Sequence, residues 1–113
     1  MDPSPTPSAS SCTARELAER LKRGDDLVLL DVREASELAV ARFPAAQHLP
    51  LATLPLRLAD VPRDRPVVVA CHHGGRSARA QQFLRAQGYT NVTNLEGGID
   101  AWSRDVDPTV PRY

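Results

Sequence analysis

Two short apolar runs constrain the fold of this chain more than any other feature of its sequence. Leu27 to Val32 and Pro66 to Cys71 are each followed by a segment with helical character. A continuous apolar run of this length is typical of a parallel strand that is buried on both faces. Because parallel strands need long crossover connections, usually helices, the sequence predicts an α/β domain.

The other segments continue this alternation. Thr13 and Glu16 form a capping-box pattern, which predicts a helix that ends at Gly24. The remaining patterns predict helices over Ala35–Arg42, Leu54–Val61, Arg76–Gln87 and Gly97–Arg104, and strands over Gln47–Leu49 and Val92–Leu95. We therefore expect a mainly parallel central sheet of about five short strands flanked by helices.

The length of 113 residues favours one domain with its own core. Residues 1–11 are rich in proline and serine and lack the apolar segment of a signal peptide, so we expect a disordered tail. We place the domain at residues 12–104 and an irregular C-terminal tail at residues 105–113. No apolar run approaches the roughly 18 residues that a membrane span needs.

Charge and cysteine content exclude several functional classes. Fourteen basic residues balance fourteen acidic ones, and this disfavours binding to nucleic acid or to an anionic membrane. The two cysteines, Cys12 and Cys71, provide neither a disulfide framework nor a zinc-binding pair, which indicates a reducing compartment, and we predict a cytoplasmic protein. We interpret Cys12 as a bystander, with a disulfide to Cys71 as the alternative.

One loop has the composition of a nucleophilic site. It follows the clearest strand and leads into the clearest helix, and it consists of Cys71, His72, His73, Gly74, Gly75, Arg76 and Ser77. The glycines let backbone N–H groups approach a bound atom closely, and the helix N-terminus adds unpaired N–H groups and positive potential. A thiol in this position should have a lowered pKa, so the loop indicates a thiolate nucleophile beside an anion-binding cradle.

Two alternatives for this loop remain open. Cysteine phosphatases place an arginine six positions after the nucleophile, whereas Arg76 follows Cys71 by five. A shorter loop makes a tighter cradle, which suits a single extra sulfur better than a phosphate group. Adjacent residues rarely converge on one ion, which disfavours a metal site made of Cys71, His72 and His73, and nothing in the sequence calls for a metal or an organic cofactor.

Three stretches together resemble a single-domain rhodanese, a sulfurtransferase, and the resemblance covers residues from about Cys12 to Trp102. The loop from Cys71 to Ser77 resembles the six-residue rhodanese loop, and residues 31–34 resemble the DVR signature. Residues 95–102 resemble the LxGGxxAW signature. One departure lies at residues 41–51, where the family pattern GHIPGAxxIPL has two glycines replaced by alanine and its histidine replaced by Arg42.

The resemblance implies a covalent mechanism. Cys71 would take sulfane sulfur from a small anion such as thiosulfate, hold it as a persulfide within the loop, and pass it to cyanide or a thiol, with Arg76 attracting the donor. A protein acceptor is a further expected partner. Two alternatives remain: a non-enzymatic persulfide carrier or binding module that serves a partner protein, and, more remotely, a phosphatase or arsenate reductase.

Residues outside the loop are expected to play supporting parts. Asp31 ends a strand, and we expect it either to cap the following helix or to pair with an arginine. For Arg33 we expect a structural ion pair, with a place at the mouth of the site as the alternative. Glu37 is expected on a solvated helix face. Gly97 and Gly98 are expected to form a turn before the last helix.

Overall fold

The computed structural model describes residues 10–113. It contains five strands, four α-helices and one 3₁₀ segment. The strands are β1 (Ser11–Cys12), β2 (Val28–Asp31), β3 (Gln47–His48), β4 (Val67–Ala70) and β5 (Val92–Leu95). The helices are α1 (Ala14–Lys22), α2 (Ala35–Leu38), α3 (Gly75–Ala86) and α4 (Gly98–Asp105), with the 3₁₀ segment at Leu51–Asp60.

All five strands form one parallel sheet in the order β1-β5-β4-β2-β3. The register pairs Leu30 of β2 with Val69 of β4, and Val69 with Asn94 of β5. This arrangement confirms the predicted α/β fold with a parallel sheet of about five short strands. Because β4 is the central strand, the loop that follows it opens in the middle of the carboxyl edge, where ligands bind in such sheets.

Each face of the sheet is covered by its own apolar layer. Val68 of β4 packs toward α1 and α4, whereas the next residue, Val69, packs toward α3 and the 3₁₀ segment. Full burial of one such side chain stabilises the fold by about 1.5–3 kcal/mol. Large buried side chains of the first layer are Leu17, Leu95, Ile99 and Trp102, and those of the second are Leu30, Leu49, Leu54 and Leu84.

Local sequence signals account for most element boundaries. The capping box is present, since the amide N–H of Glu16 donates to Oγ1 of Thr13 (3.1 Å) and the amide N–H of Thr13 donates to Glu16 (2.8 Å). The helix predicted over Leu54–Val61 is instead the longer 3₁₀ segment. Pro55 lies inside it and has no N–H to donate, and Arg57 has non-helical backbone angles, so a regular α-helix cannot form there.

The segment after α2 departs from the sequence-based prediction. The helix predicted over residues 35–42 ends at Leu38, because the chain then wraps around Arg33, whose guanidinium donates to the carbonyl of Ala41 (2.9 Å). Ala45 has a φ of +49°, a conformation that favours glycine. The pattern that this stretch resembles has glycine at this position, and alanine adopts the conformation at a cost of about 1–2 kcal/mol.

The predicted terminal tails meet the domain in different ways. Residues 1–9 of the predicted N-terminal tail lie outside the described part of the chain, and Ser11 pairs with Asn94 in the sheet. Residues 106–113 contain no helix or strand, but Val106 and Val110 pack against the core, and the carbonyl of Val110 accepts a hydrogen bond from Ser103 (2.5 Å). The division into a domain and two tails stays a prediction.

Among residues 10–113, no helix combines the length and the apolar character that a membrane span needs.

Candidate active site

Cys71 lies immediately after β4, at the centre of the carboxyl edge of the sheet. Its Sγ accepts hydrogen bonds from the amide N–H of Gly74 (3.0 Å), the amide N–H of Ser77 (3.4 Å) and the hydroxyl of Ser77 (3.3 Å). The residue is only 1% exposed. The loop therefore curls around the sulfur atom and directs hydrogen-bond donors toward it.

Two opposing effects set the pKa of Cys71. Burial is the largest single effect and raises the pKa, because it disfavours the charged thiolate. Hydrogen bonds from the Ser77 hydroxyl and from the backbone of Ser77, Gly74 and His73 oppose burial, and the net result is a pKa below the ordinary 9.0. A thiol of this kind is a nucleophile, because the thiolate is the reactive form.

The backbone of the loop is held from β5 as well as from its own helix. Gly74 precedes α3 with a φ of +113°, a conformation that favours glycine. Its carbonyl accepts a hydrogen bond from the side chain of Asn94 (3.2 Å). Sequence analysis did not identify Asn94, because nothing local marks a β5 residue as the neighbour of a loop 20 positions earlier.

The N-terminus of α4 holds the first two carbonyls of the loop. The amide N–H of Ile99 donates to the carbonyl of Cys71 (2.9 Å), and that of Asp100 donates to the carbonyl of His72 (3.1 Å). A Cβ at Gly98 would lie 2.3 Å from the carbonyl oxygen of Cys71, and the φ of Gly98 is +57°. The predicted turn at Gly97 and Gly98 is present, but Gly98 has an additional function, since only glycine allows this close approach.

Arg76 forms a two-pronged ion pair with Glu37. Its Nη1 and Nη2 donate to the two carboxylate oxygens at 2.6 and 2.8 Å. The hydrogen bonds from Arg76 lower the pKa of Glu37 to about 2, and Glu37 in turn raises the pKa of Arg76. The expectation that Glu37 lies on a solvated face was wrong: its side chain is 17% exposed, because α2 turns it toward the loop. The attraction of a donor by Arg76 stays a prediction. A donor anion would compete with the carboxylate of Glu37 for the guanidinium of Arg76.

Asp31 and Arg33 form a buried ion pair. Nη2 of Arg33 lies 2.7 Å from the carboxylate of Asp31, and the Arg33 side chain is 0% exposed. Nε also donates to both oxygens of Asp31 (3.0 and 3.1 Å). The pair joins the end of β2 to the segment that follows α2 through the Arg33 contact with the carbonyl of Ala41. Nη1 of Arg33 also donates to the backbone carbonyl of Glu37 (3.5 Å), so the pair supports the residue that holds Arg76.

Tyr113 connects this buried pair to the loop that follows β4. Nη1 of Arg33 donates to its hydroxyl (2.8 Å), and the hydroxyl donates to Glu37 (2.8 Å). Its ring stacks on the ring of His72, with centroids 3.8 Å apart and planes 3° from parallel, and His72 stacks on His73 in turn (3.9 Å). No sequence signal identified Tyr113, which lies in the segment predicted to be an irregular tail.

His72, His73 and Asp100 bring possible metal-ligating atoms within 4.8 Å of one another. The two imidazole planes are only 20° from parallel, so their in-plane lone pairs do not converge on one point. The carboxylate of Asp100 already accepts hydrogen bonds from Arg112 (2.9 and 3.2 Å). This arrangement does not favour a bound cation.

Cys12 lies apart from Cys71. Both cysteines are free, and they belong to the apolar layers on opposite faces of the sheet. β5 separates β1 from β4, which places the two strands about 10 Å apart. Because a disulfide needs Cα atoms within about 7 Å, this geometry argues against direct pairing without movement of the backbone.

Comparison with known proteins gives consistent matches. The model of the rhodanese-like domain family matches residues 13–105. A sulfurtransferase of Allochromatium vinosum is 41% identical over 97 residues, which cover 86% of this chain and 91% of that protein. A rhodanese-related protein from Thermoplasma volcanium, whose crystal structure is known, is 34% identical with a TM-score of 0.80, covering 92% of this chain and 99% of that one. A maize protein named adenylyltransferase and sulfurtransferase MOCS3-1 is 34% identical, and the match covers 24% of its length and 95% of this chain.

Proposed function

This chain belongs to the rhodanese-like domain family, and on that premise we propose that it is a sulfurtransferase that works through a persulfide on Cys71. The observation that carries the proposal is the set of hydrogen bonds from Gly74 and Ser77 to Sγ of Cys71. Such donors stabilise a negatively charged sulfur, which both halves of a sulfur-transfer reaction require.

The first half-reaction loads the enzyme. The Cys71 thiolate attacks the outer sulfur of a donor such as thiosulfate, and a new S–S bond forms. The S–S bond of the donor breaks, and sulfite leaves with the electron pair. The loop from His72 to Arg76 holds the anionic terminal sulfur, since its backbone N–H groups and the N-terminus of α3 provide positive potential there.

The second half-reaction unloads it. A nucleophile such as cyanide or a thiolate attacks the terminal sulfur, and the S–S bond of the persulfide breaks to restore the Cys71 thiolate. Cyanide leaves as thiocyanate, and a thiol leaves as a new persulfide. Donor and acceptor react in separate steps, so the kinetics are ping-pong.

A persulfide carrier that serves a partner protein is the second candidate. It is favoured by the maize relative, in which a region like this chain is one quarter of a larger protein whose name includes adenylyltransferase. In that case the physiological acceptor is a protein, and small acceptors react slowly. The two candidates share the persulfide and differ only in turnover.

Intact-mass measurement after incubation with thiosulfate tests the proposal. The protein should gain one sulfur atom, and the gain should disappear when it is treated with cyanide. Protein that gains no sulfur but hydrolyses an aryl phosphate would contradict both sulfur-based candidates and would support the phosphatase alternative.

Steady production of thiocyanate then separates enzyme from carrier. An enzyme should release many equivalents of thiocyanate for each protein molecule in the presence of excess thiosulfate and cyanide. A carrier should release about one equivalent from the preloaded persulfide and then turn over slowly. We expect the first result. The cytoplasmic location stays a prediction that this experiment does not address.

A further inference from the structure

The nucleophile is almost completely covered. Cys71 is 1% exposed, whereas a sulfur donor must come within bonding distance of Sγ. The loop itself surrounds the sulfur with hydrogen-bond donors from Gly74 and Ser77. A donor therefore reaches the sulfur only past the residues around the loop, and Tyr113 is one of them, since it stacks on His72.

Tyr113 bridges the two ends of that rim. At one end its ring stacks on His72, the residue that follows the nucleophile, with centroids 3.8 Å apart. At the other end its hydroxyl donates to Glu37, which holds Arg76 through two hydrogen bonds. Tyr113 thus contacts the first residue after Cys71 directly and reaches the fifth, Arg76, through Glu37.

We propose that Tyr113 is a specificity-determining residue that selects sulfur donors and acceptors by size. While its ring is stacked on His72, small anions reach Cys71, and bulky persulfides and protein thiols reach it only after Tyr113 moves away. The inference rests on the proposed sulfur transfer, and it adds the class of substrate that the closed site accepts.

The contacts that hold Tyr113 are suited to reversible opening. The residue is 39% exposed and is held by side-chain contacts to His72, Arg33 and Glu37. Its neighbour Arg112 is 57% exposed and pairs with the carboxylate of Asp100 at 2.9 Å, which is a side-chain contact as well. Val110 is anchored to the core by Ser103, so the short stretch from residue 111 to 113 can open without unfolding the domain.

One buried atom destabilises the closed arrangement. Nε2 of His72 is buried and has no hydrogen-bond partner among residues 10–113. A buried polar atom without a partner costs free energy. Movement of Tyr113 or binding of a ligand would remove this cost. The closed state is therefore stabilised by the contacts of Tyr113 with His72, Arg33 and Glu37, less the cost of the unpaired Nε2.

Alkylation of Cys71 tests the inference without any sulfur transfer. The full chain is treated with iodoacetamide, a small reagent, and with a maleimide that carries a large fluorescent group. Peptide mapping identifies the modified cysteine, and Cys12 should react slowly because burial raises its pKa to about 11. The compared proteins are the wild type, Tyr113→Ala, Tyr113→Phe and, as a surface control on the exposed 3₁₀ segment, Leu56→Ala.

We expect Tyr113→Ala to raise the rate with the bulky maleimide about tenfold, the effect of losing one aromatic stack and its hydrogen bonds. The rate with iodoacetamide should change less than about threefold, because a small reagent reaches Cys71 while Tyr113 is still stacked on His72. Tyr113→Phe keeps the ring and should stay closer to the wild type, and Leu56→Ala should match it. Equal changes with both reagents, or no change with either, would overturn the inference.

Sulfur transfer provides the second measurement. Tyr113→Ala should raise kcat/KM for glutathione persulfide as donor and for a long cysteine-containing peptide as acceptor, relative to thiosulfate and cyanide. Unchanged ratios in a variant with altered alkylation would overturn the substrate selection. Wild-type protein that gains no sulfur from any donor would contradict the proposed function alone, and the alkylation ratio would still decide whether Tyr113 screens Cys71 by size.

Discussion

The two cysteines provide a comparison within one chain. Cys12 and Cys71 are both free and buried, at 6% and 1% exposure, and each stands at the carboxyl end of a parallel strand just before a helix. Their pKa values nevertheless move in opposite directions. Burial raises the pKa of Cys12 to about 11, whereas the hydrogen bonds at Cys71 outweigh burial and lower its pKa.

The difference shows what activates a thiol in this fold. Cys12 directly precedes Thr13, the N-cap of α1, yet burial is the largest effect on its thiol and raises its pKa. At Cys71 the chain inserts a loop before α3, and this loop turns the N–H groups of Gly74 and Ser77 onto the sulfur. The donors aimed at Sγ, one of which is the Ser77 amide in the first turn of α3, account for the contrast.

The largest expected difference is in sulfur loading, between the variants Cys71→Ser and Cys12→Ser. Cys71→Ser should abolish the gain of sulfur from thiosulfate, because a hydroxyl does not form a persulfide. Cys12→Ser should load sulfur as the wild type does, since Cys12 lies in the opposite apolar layer. Intact mass is the measurement, and sulfur found on the Cys71→Ser protein would break the comparison.

A side chain at Gly98 should disrupt the loop around one thiol only. Gly98→Ala places a Cβ against the carbonyl of Cys71 and should lower the free energy of unfolding by about 2–4 kcal/mol, from the backbone angle and the overpacking. It should also raise the pKa of Cys71, because the loop must shift.

Gly24→Ala is the matched control for that substitution. Gly24 also has a positive φ, +79°, but no atom lies within 4 Å of its Cβ position. It should lose only about 1–2 kcal/mol, the cost of the backbone angle, and leave the reactivity of Cys71 unchanged. Chemical denaturation and alkylation rates are the measurements, and equal losses in the two variants would contradict the close approach of α4 to the loop.

Removal of one donor should make Cys71 more like Cys12. Ser77→Ala deletes the hydroxyl bond to Sγ and keeps the amide bond. The pKa of Cys71 should rise toward its ordinary value. Alkylation at neutral pH should slow by about tenfold or more, since one hydrogen bond to a charged group is worth about 1.5–3 kcal/mol. The midpoint of the alkylation rate against pH should move upward, and an unmoved midpoint would show that the backbone donors suffice.

The smallest expected effect is the change in stability with pH in Cys12→Ala and Cys71→Ser. The raised pKa of Cys12 favours the folded state below pH 9, and this contribution is lost as the pH rises through about 11. The lowered pKa of Cys71 has the opposite sign and favours the folded state above pH 9. Cys12→Ala should therefore lose less stability between pH 9 and pH 11 than the wild type. Cys71→Ser should instead gain less stability than the wild type as the pH rises toward 9, because its difference from the wild type develops below pH 9. Urea denaturation is the measurement for both variants.

The parts of the site that lie within one short segment could be predicted from the sequence. Cys71, Gly74 and the start of α3 follow from a strand end, a glycine pair and a helical pattern, each read from neighbouring residues. The DVR stretch likewise marked Asp31 and Arg33, although it left open whether they pair or face the site. The structure pairs them.

The parts that depend on distant contacts could not be predicted. Glu37 lies 39 positions from Arg76, and on a helix of four residues no periodicity tells a solvated side chain from one that meets a loop. Tyr113 lies 76 positions from Glu37, in a segment without periodicity. The close approach of Gly98 needs the tertiary position of α4, so its sequence pattern indicates only a turn.

The anchoring of the loop by α4 has a consequence for biosynthesis. Cys71 leaves the ribosome well before Ile99 and Asp100, whose amide groups hold the carbonyls of Cys71 and His72. Until those residues emerge, the loop lacks both anchors and β4 lacks its neighbour β5. Until then the hydrogen bonds that lower the pKa of Cys71 lack their support, and the lowered pKa develops only when synthesis of the domain is nearly complete.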